Sequence, residues 1–222
     1  MNKKLLKELK DLTIPKPVNL FPTTFFVLAN KAHTKNNESL MKSIKNYRIK
    51  NKRGLKKSNY GGYHSEQNIQ HLDKFKTITL KLINSYAAIV SMYFGRECIK
   101  NTENYKCIKG TLESMWFMVN GKGHANTIHS HPRAWMACSY YISLPKGNNY
   151  IYFHDPIQAR KQDADYAKCT SVVEIQEGDA IFFPGWFEHS VPPNLSKKNR
   201  VVISCNFRKP SFISKIKEKA DG

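Results

Sequence analysis

The chain has 222 residues and a formal charge of +19, from 36 Lys and Arg against 17 Asp and Glu. That length suits one substantial apolar core, and no apolar run approaches the ~20 residues that span a bilayer. A basic start without a long apolar stretch argues against secretion, and five cysteines without CxxC spacing read as reduced thiols, so cytoplasm is the expected location.

In chain order, residues 1–12 predict a short Lys-rich helix that stops before Pro15 and Pro17. Residues 19–28 read as an apolar strand around Phe21, Phe25, Phe26 and Val27. A helix over 38–47 leads into a basic linker and then Gly61-Gly62. Residues 69–94 place Leu72, Phe75, Leu82, Ile83, Tyr86, Ile89 and Val90 at helical spacing and predict the best helix of the chain. From Leu112 onward short apolar stretches alternate with Gly, Pro and Asn turns, which predicts strands at 113–119, 126–131, 136–144, 149–153, 170–175, 179–183, 187–191 and 200–207. Helices followed by about eight strands predict an α+β fold: a jelly-roll, or double-stranded β-helix, with the N-terminal helices packed on one sheet. One domain is expected over 1–222, with a helical, basic part to 110, a jelly-roll core over 111–208 and a basic tail over 209–222.

Most of the charge lies in the first half. The run from Lys42 to Lys57 interleaves Tyr47 and Ile49 with eight Lys and Arg. Such a run is an electrostatic footprint for nucleic acid or an acidic partner. A Lys- and Asn-rich solvated surface explains it equally, and on composition is the more economical reading.

Chemistry concentrates in two segments. His129-Ser130-His131-Pro132 puts two imidazoles at i and i+2, which share one face of an extended strand. Glu177-Gly178-Asp179 then opens an apolar strand that ends near Phe183-Pro184-Gly185-Trp186, and His189 follows. A third imidazole there can close a three-point metal site. Arg200, on the next strand, can hold an anion beside it, because a planar guanidinium pairs bidentately with a carboxylate. His33, His71 and His124 read as ordinary surface or hydrogen-bonded residues, with His64 and His154 intermediate. Tyr60, Tyr63 and His64 around Gly61-Gly62 are candidates for a lid, and Trp116, Trp135 and Trp186 for lining an entrance or filling the core.

These pieces, with Leu20-Phe21-Pro22-Thr23, Ser58-Asn59-Tyr60-Gly61-Gly62-Tyr63-His64-Ser65, Ser139-Tyr140-Tyr141-Ile142, Phe153-His154-Asp155-Pro156 and Ser204-Cys205-Asn206-Phe207, occur in an order that resembles the 2-oxoglutarate/Fe(II) oxygenases of the prolyl-4-hydroxylase-like group found in marine bacteria and phages. The resemblance covers 21–207. It implies a double-stranded β-helix and an Fe(II)-, 2-oxoglutarate- and O2-dependent hydroxylase, acting in the host cytoplasm if phage-encoded. Its substrate is unidentified, with a protein or acidic partner expected and nucleic acid left open by the basic N-terminal half.

The resemblance puts metal ligands at His129 and His189. In the wider superfamily the residue two after the first His is Asp or Glu; here it is His131. A three-His site, Asp155 brought in from a neighbouring strand, and water in the third position all remain open, with His131 at the correct spacing. Arg200, eleven residues after His189, falls where the far carboxylate of 2-oxoglutarate is held. Ser204 and Asn206 share its strand face, and Tyr141 or Tyr140 offers a phenol. An AlkB-like nucleic-acid oxygenase is the first alternative, weakened because Asn206 stands where a second Arg is expected. A cupin-like metal protein without 2-oxoglutarate is the second, but it leaves Arg200 without a role.

Overall fold

Antiparallel pairing organises most of the chain. The computed structural model describes residues 23–29, 33–95, 102–147, 149–157 and 169–212. In these, β1 (Phe26–Leu28) precedes helix α1 (Thr34–Lys50), the two-residue strands β2 (Asn59–Tyr60) and β3 (Tyr63–His64), and helices α2 (Lys76–Phe94) and α3 (Thr102–Lys109). The strands β4 (Leu112–Asn120), β5 (Ala125–His129), β6 (Met136–Ser143), β7 (Tyr150–His154), β8 (Thr170–Glu174), β9 (Ala180–Pro184), β10 (His189–Val191) and β11 (Arg200–Phe207) follow. They form a six-stranded sheet in the order β1-β9-β6-β11-β4-β3 and a five-stranded sheet in the order β2-β5-β10-β7-β8. All strand pairs are antiparallel. The eight C-terminal strands begin and end within two residues of their expected positions.

The period-2 pleat gives the six-stranded sheet two different faces. Met115, Phe117 and Val119 of β4, Cys138, Tyr140 and Ile142 of β6, and Ile203, Cys205 and Phe207 of β11 join one core cluster with Leu40 and Ile44 of α1 and Leu82, Tyr86 and Val90 of α2. The intervening residues Trp116, Ser139, Tyr141, Arg200, Val202 and Ser204 face the other way, into a cavity. A second cluster, including Tyr141, Phe183 and Val202 with Ile151 and Phe153 of β7, ties the sheets together. Each fully buried Leu, Ile or Phe contributes about 1.5–3 kcal/mol, so both faces of this sheet are locked.

The helices differ from expectation at their ends. The first runs from Thr34 to Lys50, so it starts earlier than expected and takes in the first three residues of the supposed basic linker. The second starts at Lys76, because Leu72 is extended (ψ 127°) between two 3-10 turns, Ile69–His71 and Asp73–Phe75. Ile69 and Phe75 are nonetheless buried, as the helical spacing requires. Helix α3 and strands β2 and β3 are additions. The expected helix over 1–12, residues 19–22 of the expected first strand and the tail beyond 212 lie outside the described residues, and the described part of that strand pairs only over Phe26–Leu28. Among the described residues no helix is long and apolar enough to cross a membrane.

Gly61 and Gly62 have φ of 67° and 58° and join β2 in one sheet to β3 in the other. A Cβ at Gly61 would sit 2.3 Å from the His124 ring, and one at Gly62 2.4 Å from Asn120 Oδ1. The segment is therefore a tight corner between sheets and not a lid. Tyr60 is exposed, Tyr63 turns toward the helices and stacks on Phe117 (5.7 Å), and His64 turns into the cavity.

Candidate functional site

Between the two sheets lies a cavity of about 280 Å³. His129 at the end of β5 and His189 at the start of β10 are directly paired across the strands, and their ring centroids are 4.3 Å apart. His131 follows two residues after His129, its ring 5.3 Å from His129 and 5.2 Å from His189. One nitrogen from each of the three lies within 4.8 Å of the others.

Backbone carbonyls orient two of these rings. With Nδ1 protonated, His129 donates to the Thr127 carbonyl (2.7 Å) and His189 to the Phe187 carbonyl (2.9 Å), which leaves both Nε2 lone pairs free to bind. The Ser58 hydroxyl lies 3.3 Å from His129 Nε2. His131 is held differently. Its N–H donates to the Gly185 carbonyl (2.6 Å), its carbonyl accepts from Ala134 (2.9 Å), and its ring stacks between Trp116 and His189. The turn requires glycine at 185: a Cβ there would lie 2.1 Å from the Ala134 carbonyl and 2.6 Å from that of His131.

The surroundings keep all three imidazoles neutral. Burial, with the His129 ring as a smaller cause, lowers His131 to about 4 and His189 to about 3. Burial also moves His129 below its ordinary value. Neutral imidazoles are the metal-binding form, and such a donor set suits iron, zinc, copper or nickel better than calcium or magnesium. Asp155 is not part of the cluster: its carboxylate accepts from the Ile157 N–H (2.8 Å). Among the described residues no Asp or Glu lines the cavity.

Arg200 is 2 % exposed. Its Nη1 donates to the Tyr150 carbonyl (2.9 Å), and its Cζ lies 5.5 Å from the Tyr141 ring centre. Among the described residues it has no carboxylate partner. Burial therefore pulls its pKa down, and burial pushes the Tyr141 phenol up, which keeps it protonated. A buried, unpaired guanidinium is costly and fits an anion brought in with a ligand. Ser204 also faces the cavity, its hydroxyl 3.2 Å from that of Ser139.

Of the expected site residues, His129, His131, His189, Arg200, Ser204 and Tyr141 all line this cavity. Asn206 does not: it shares the face of β11, but its Oδ1 is buried without a hydrogen-bond partner, outside the lining. Tyr140 faces the helices and donates to Asn37 Oδ1 (2.6 Å). Ser58, Asn126 and Ser139 were not anticipated as lining residues; only the sheet pairings reveal them. Trp116 stacks between His64 (5.6 Å) and His131 (5.7 Å). Trp135 packs against Tyr86 in the helical core, and Trp186 is half exposed.

Residues 114–206 match a family model described as "Putative 2OG-Fe(II) oxygenase". The fold is similar to that of a prolyl-4-hydroxylase from Pseudomonas putida (12 % identity, 84 % of this chain and 94 % of that one, TM-score 0.57). It is also similar to HygX of Streptomyces hygroscopicus with nickel and 2-oxoglutarate bound (10 %, 96 % and 88 %, 0.55). A third similar structure is a prolyl hydroxylase from Trichoplax adhaerens in complex with a hypoxia inducible factor peptide fragment (11 %, 82 % and 83 %, 0.53). No curated protein matches the chain in sequence.

Proposed function

We propose that the chain is a 2-oxoglutarate- and Fe(II)-dependent oxygenase that hydroxylates a polypeptide, with His129, His131 and His189 holding the metal and Arg200 the co-substrate; the family model matched by residues 114–206 supports this reading. The observation that carries the reading is the pairing, in one cavity, of three convergent neutral imidazoles with a buried guanidinium that lacks an acid. The fit to iron rests on the donor set, and the fit to a dicarboxylate on Arg200. Iron with 2-oxoglutarate and O2 supplies the oxidation, in which one oxygen atom enters a C–H bond of the substrate and 2-oxoglutarate leaves as succinate and CO2.

The protein's own residues bind and orient. The carbonyls of Thr127 and Phe187 fix the tautomers of His129 and His189. The stack of His64, Trp116 and His131 holds the third imidazole in place. Arg200 offers a forked pair of N–H groups to a carboxylate, with Tyr141 and Ser204 as neutral donors nearby. Ile151, Val191 and Val202 form an apolar stretch of the wall, while Ser58, Gln67, Asn120 and Asn126 make other parts of it polar. Core packing of α1 and α2 against β4, β6 and β11 supports a rigid platform for Arg200. The peptide bound to the Trichoplax hydroxylase supports a polypeptide substrate. We take residues 111–208 as the catalytic core.

The test is anaerobic binding of Fe(II) and 2-oxoglutarate, then succinate release on adding O2. Wild type is run beside His189→Ala and Arg200→Ala. Succinate from wild type alone supports the assignment. Iron binding without 2-oxoglutarate binding would favour a cupin-like protein instead.

A further inference from the structure

On the opposite face of the same sheet edge lies a second and larger depression, of about 670 Å³. Its floor is apolar: Ile44 of α1, Tyr63 of β3, Val119 of β4 and Val201 of β11. Its rim is cationic. Lys42, Lys45, Arg48 and Lys52 line it with no Asp or Glu among the lining residues. None of the four has an ion-pair partner among the described residues. Arg48 is held over Tyr63, Cζ 5.0 Å from the ring centre. Met41 and Ile49 complete the apolar stripe and are 37 % and 61 % exposed.

The pattern follows from helix geometry. Positions 41, 44, 45, 48 and 49 recur at intervals of three and four and share one side of α1, and Lys52 follows just beyond its C-cap Asn51. An amphipathic helix normally buries its apolar stripe; here that stripe is only half covered and four cations flank it. From Met41 to Ile49 the helix advances about 12 Å, the length of three or four extended residues.

We propose that this groove docks an acidic polypeptide segment, with an apolar side chain on the floor and Asp or Glu on either side meeting the four cations. The proposal rests on the hydroxylase reading above and identifies the class of its substrate. The groove and the cavity are two faces of one sheet edge: Tyr63, Val119 and Val201 face the groove, while their neighbours His64, Met118, Asn120, Arg200 and Val202 face the cavity. The exposed segment after α1 carries Lys52, Arg53, Lys56 and Lys57, and Lys57 lines the cavity. This segment connects a lysine of the groove, Lys52, to one of the cavity, Lys57.

The sequence at the chain's two ends is itself basic, so charge complementarity favours a separate acidic segment. Residues 1–22 hold five Lys against Glu8 and Asp11, and residues 213–222 hold three Lys against Glu218 and Asp221. Nucleic acid would use the cations, but it prefers aromatic faces for its bases. The only aromatic of the lining, Tyr63, is 8 % exposed and covered by Arg48. Aliphatic Ile44, Ile49 and Val201 suit a side chain such as Leu.

The test uses fluorescence anisotropy on the full, metal-free chain with a fluorescein-labelled dodecapeptide of three Glu-Leu-Asp-Asp repeats. Comparison probes are a Glu dodecapeptide and a dT dodecanucleotide. The combined Lys42→Glu and Lys45→Glu variant is expected to weaken the mixed peptide at least tenfold, and Ile49→Ser about fivefold. The Glu peptide should bind more weakly than the mixed one. Both variants change exposed side chains and should melt as wild type does. Peptide affinity that ignores both changes would overturn the proposal. So would an oligonucleotide that outcompetes the peptide and is insensitive to Ile49→Ser. Succinate formation without substrate should be unaffected by either variant. Its absence from wild type would sink the oxygenase reading, whereas the anisotropy decides the groove alone.

Discussion

Arg200→Met should move stability and co-substrate affinity in opposite directions. The guanidinium is buried, donates to one carbonyl, Tyr150, and leans on the Tyr141 ring, with no acid beside it. Replacing a buried ion pair by apolar residues is often neutral or stabilising by about 1–4 kcal/mol, and a lone buried guanidinium has no partner attraction to lose. Stranding the Tyr150 carbonyl offsets about 1–3 kcal/mol of that. The sum is near zero or slightly favourable. At roughly 2–4 °C per kcal/mol for a chain of this size, the ligand-free variant should melt with or a few degrees above wild type.

Binding should respond the other way. Removing one partner of a buried, hydrogen-bonded charge pair costs about 2–5 kcal/mol, so 2-oxoglutarate should bind about 30-fold to several thousand-fold more weakly. Arg200→Lys keeps the charge but loses the planar fork, and should fall between. Scanning calorimetry of the ligand-free protein and anaerobic equilibrium dialysis with radiolabelled 2-oxoglutarate read the two effects. A melting point lowered by 8 °C or more would make Arg200 a structural residue. Unchanged 2-oxoglutarate affinity would remove it from the co-substrate site.

Three further outcomes are expected. Metal affinity measured by competition with a chromophoric chelator should fall more than about 100-fold in His189→Ala and His131→Ala, whereas His131→Asp, which restores a carboxylate donor, should retain metal; equal affinity of His131→Ala and wild type would leave only two protein ligands. The ligand-free protein should lose stability as pH falls from 6.5 toward 4. His131 and His189 are held near 4 and 3, so the unfolded chain takes up protons that the folded chain refuses. Each contributes a loss of about 2 kcal/mol at pH 5, read from urea midpoints at pH 5 and 7.5, and a flat profile would contradict the burial of these rings. Gly185→Ala should cost at least about 2 kcal/mol, or roughly 4–8 °C, and weaken metal binding, because its Cβ displaces the carbonyls that set His131.

The strands of the C-terminal half were legible because each faces two environments. On β11, Ile203, Cys205 and Phe207 meet the helices while Arg200, Val202 and Ser204 meet the cavity, and alternation of that kind survives in a single sequence. Two-residue strands carry no such period, so β2 and β3 could not be read. Helix α3 has only Tyr105, Cys107 and Ile108 as apolar residues, too few to raise a stripe above its polar neighbours. The helix boundary moved from 69 to 76 for a subtler reason: 3-10 turns keep Ile69 and Phe75 inward, so apolar spacing alone does not register the break at Leu72.

For the site, local parity sufficed for some residues and failed for others. The i, i+2 spacing of His129 and His131 and the position of Arg200 after His189 are properties of neighbouring positions. The facing of Ser139 and Ser204, and the arrival of Ser58 and Asn126 at the cavity, depend on register between strands far apart in sequence. Asn206 shows the limit of parity. It has the right face but sits one step beyond the cavity, since a face extends along the whole strand and a cavity does not. With no acid in the lining and Arg200 and Lys57 present, the cavity is neutral to positive before anything binds. An anion entering it meets no repulsive side chain, and its attraction to Arg200 is little screened because the guanidinium is buried. Affinity for 2-oxoglutarate should therefore depend weakly on salt, while docking of an acidic segment against the exposed lysines of α1 should depend on it strongly.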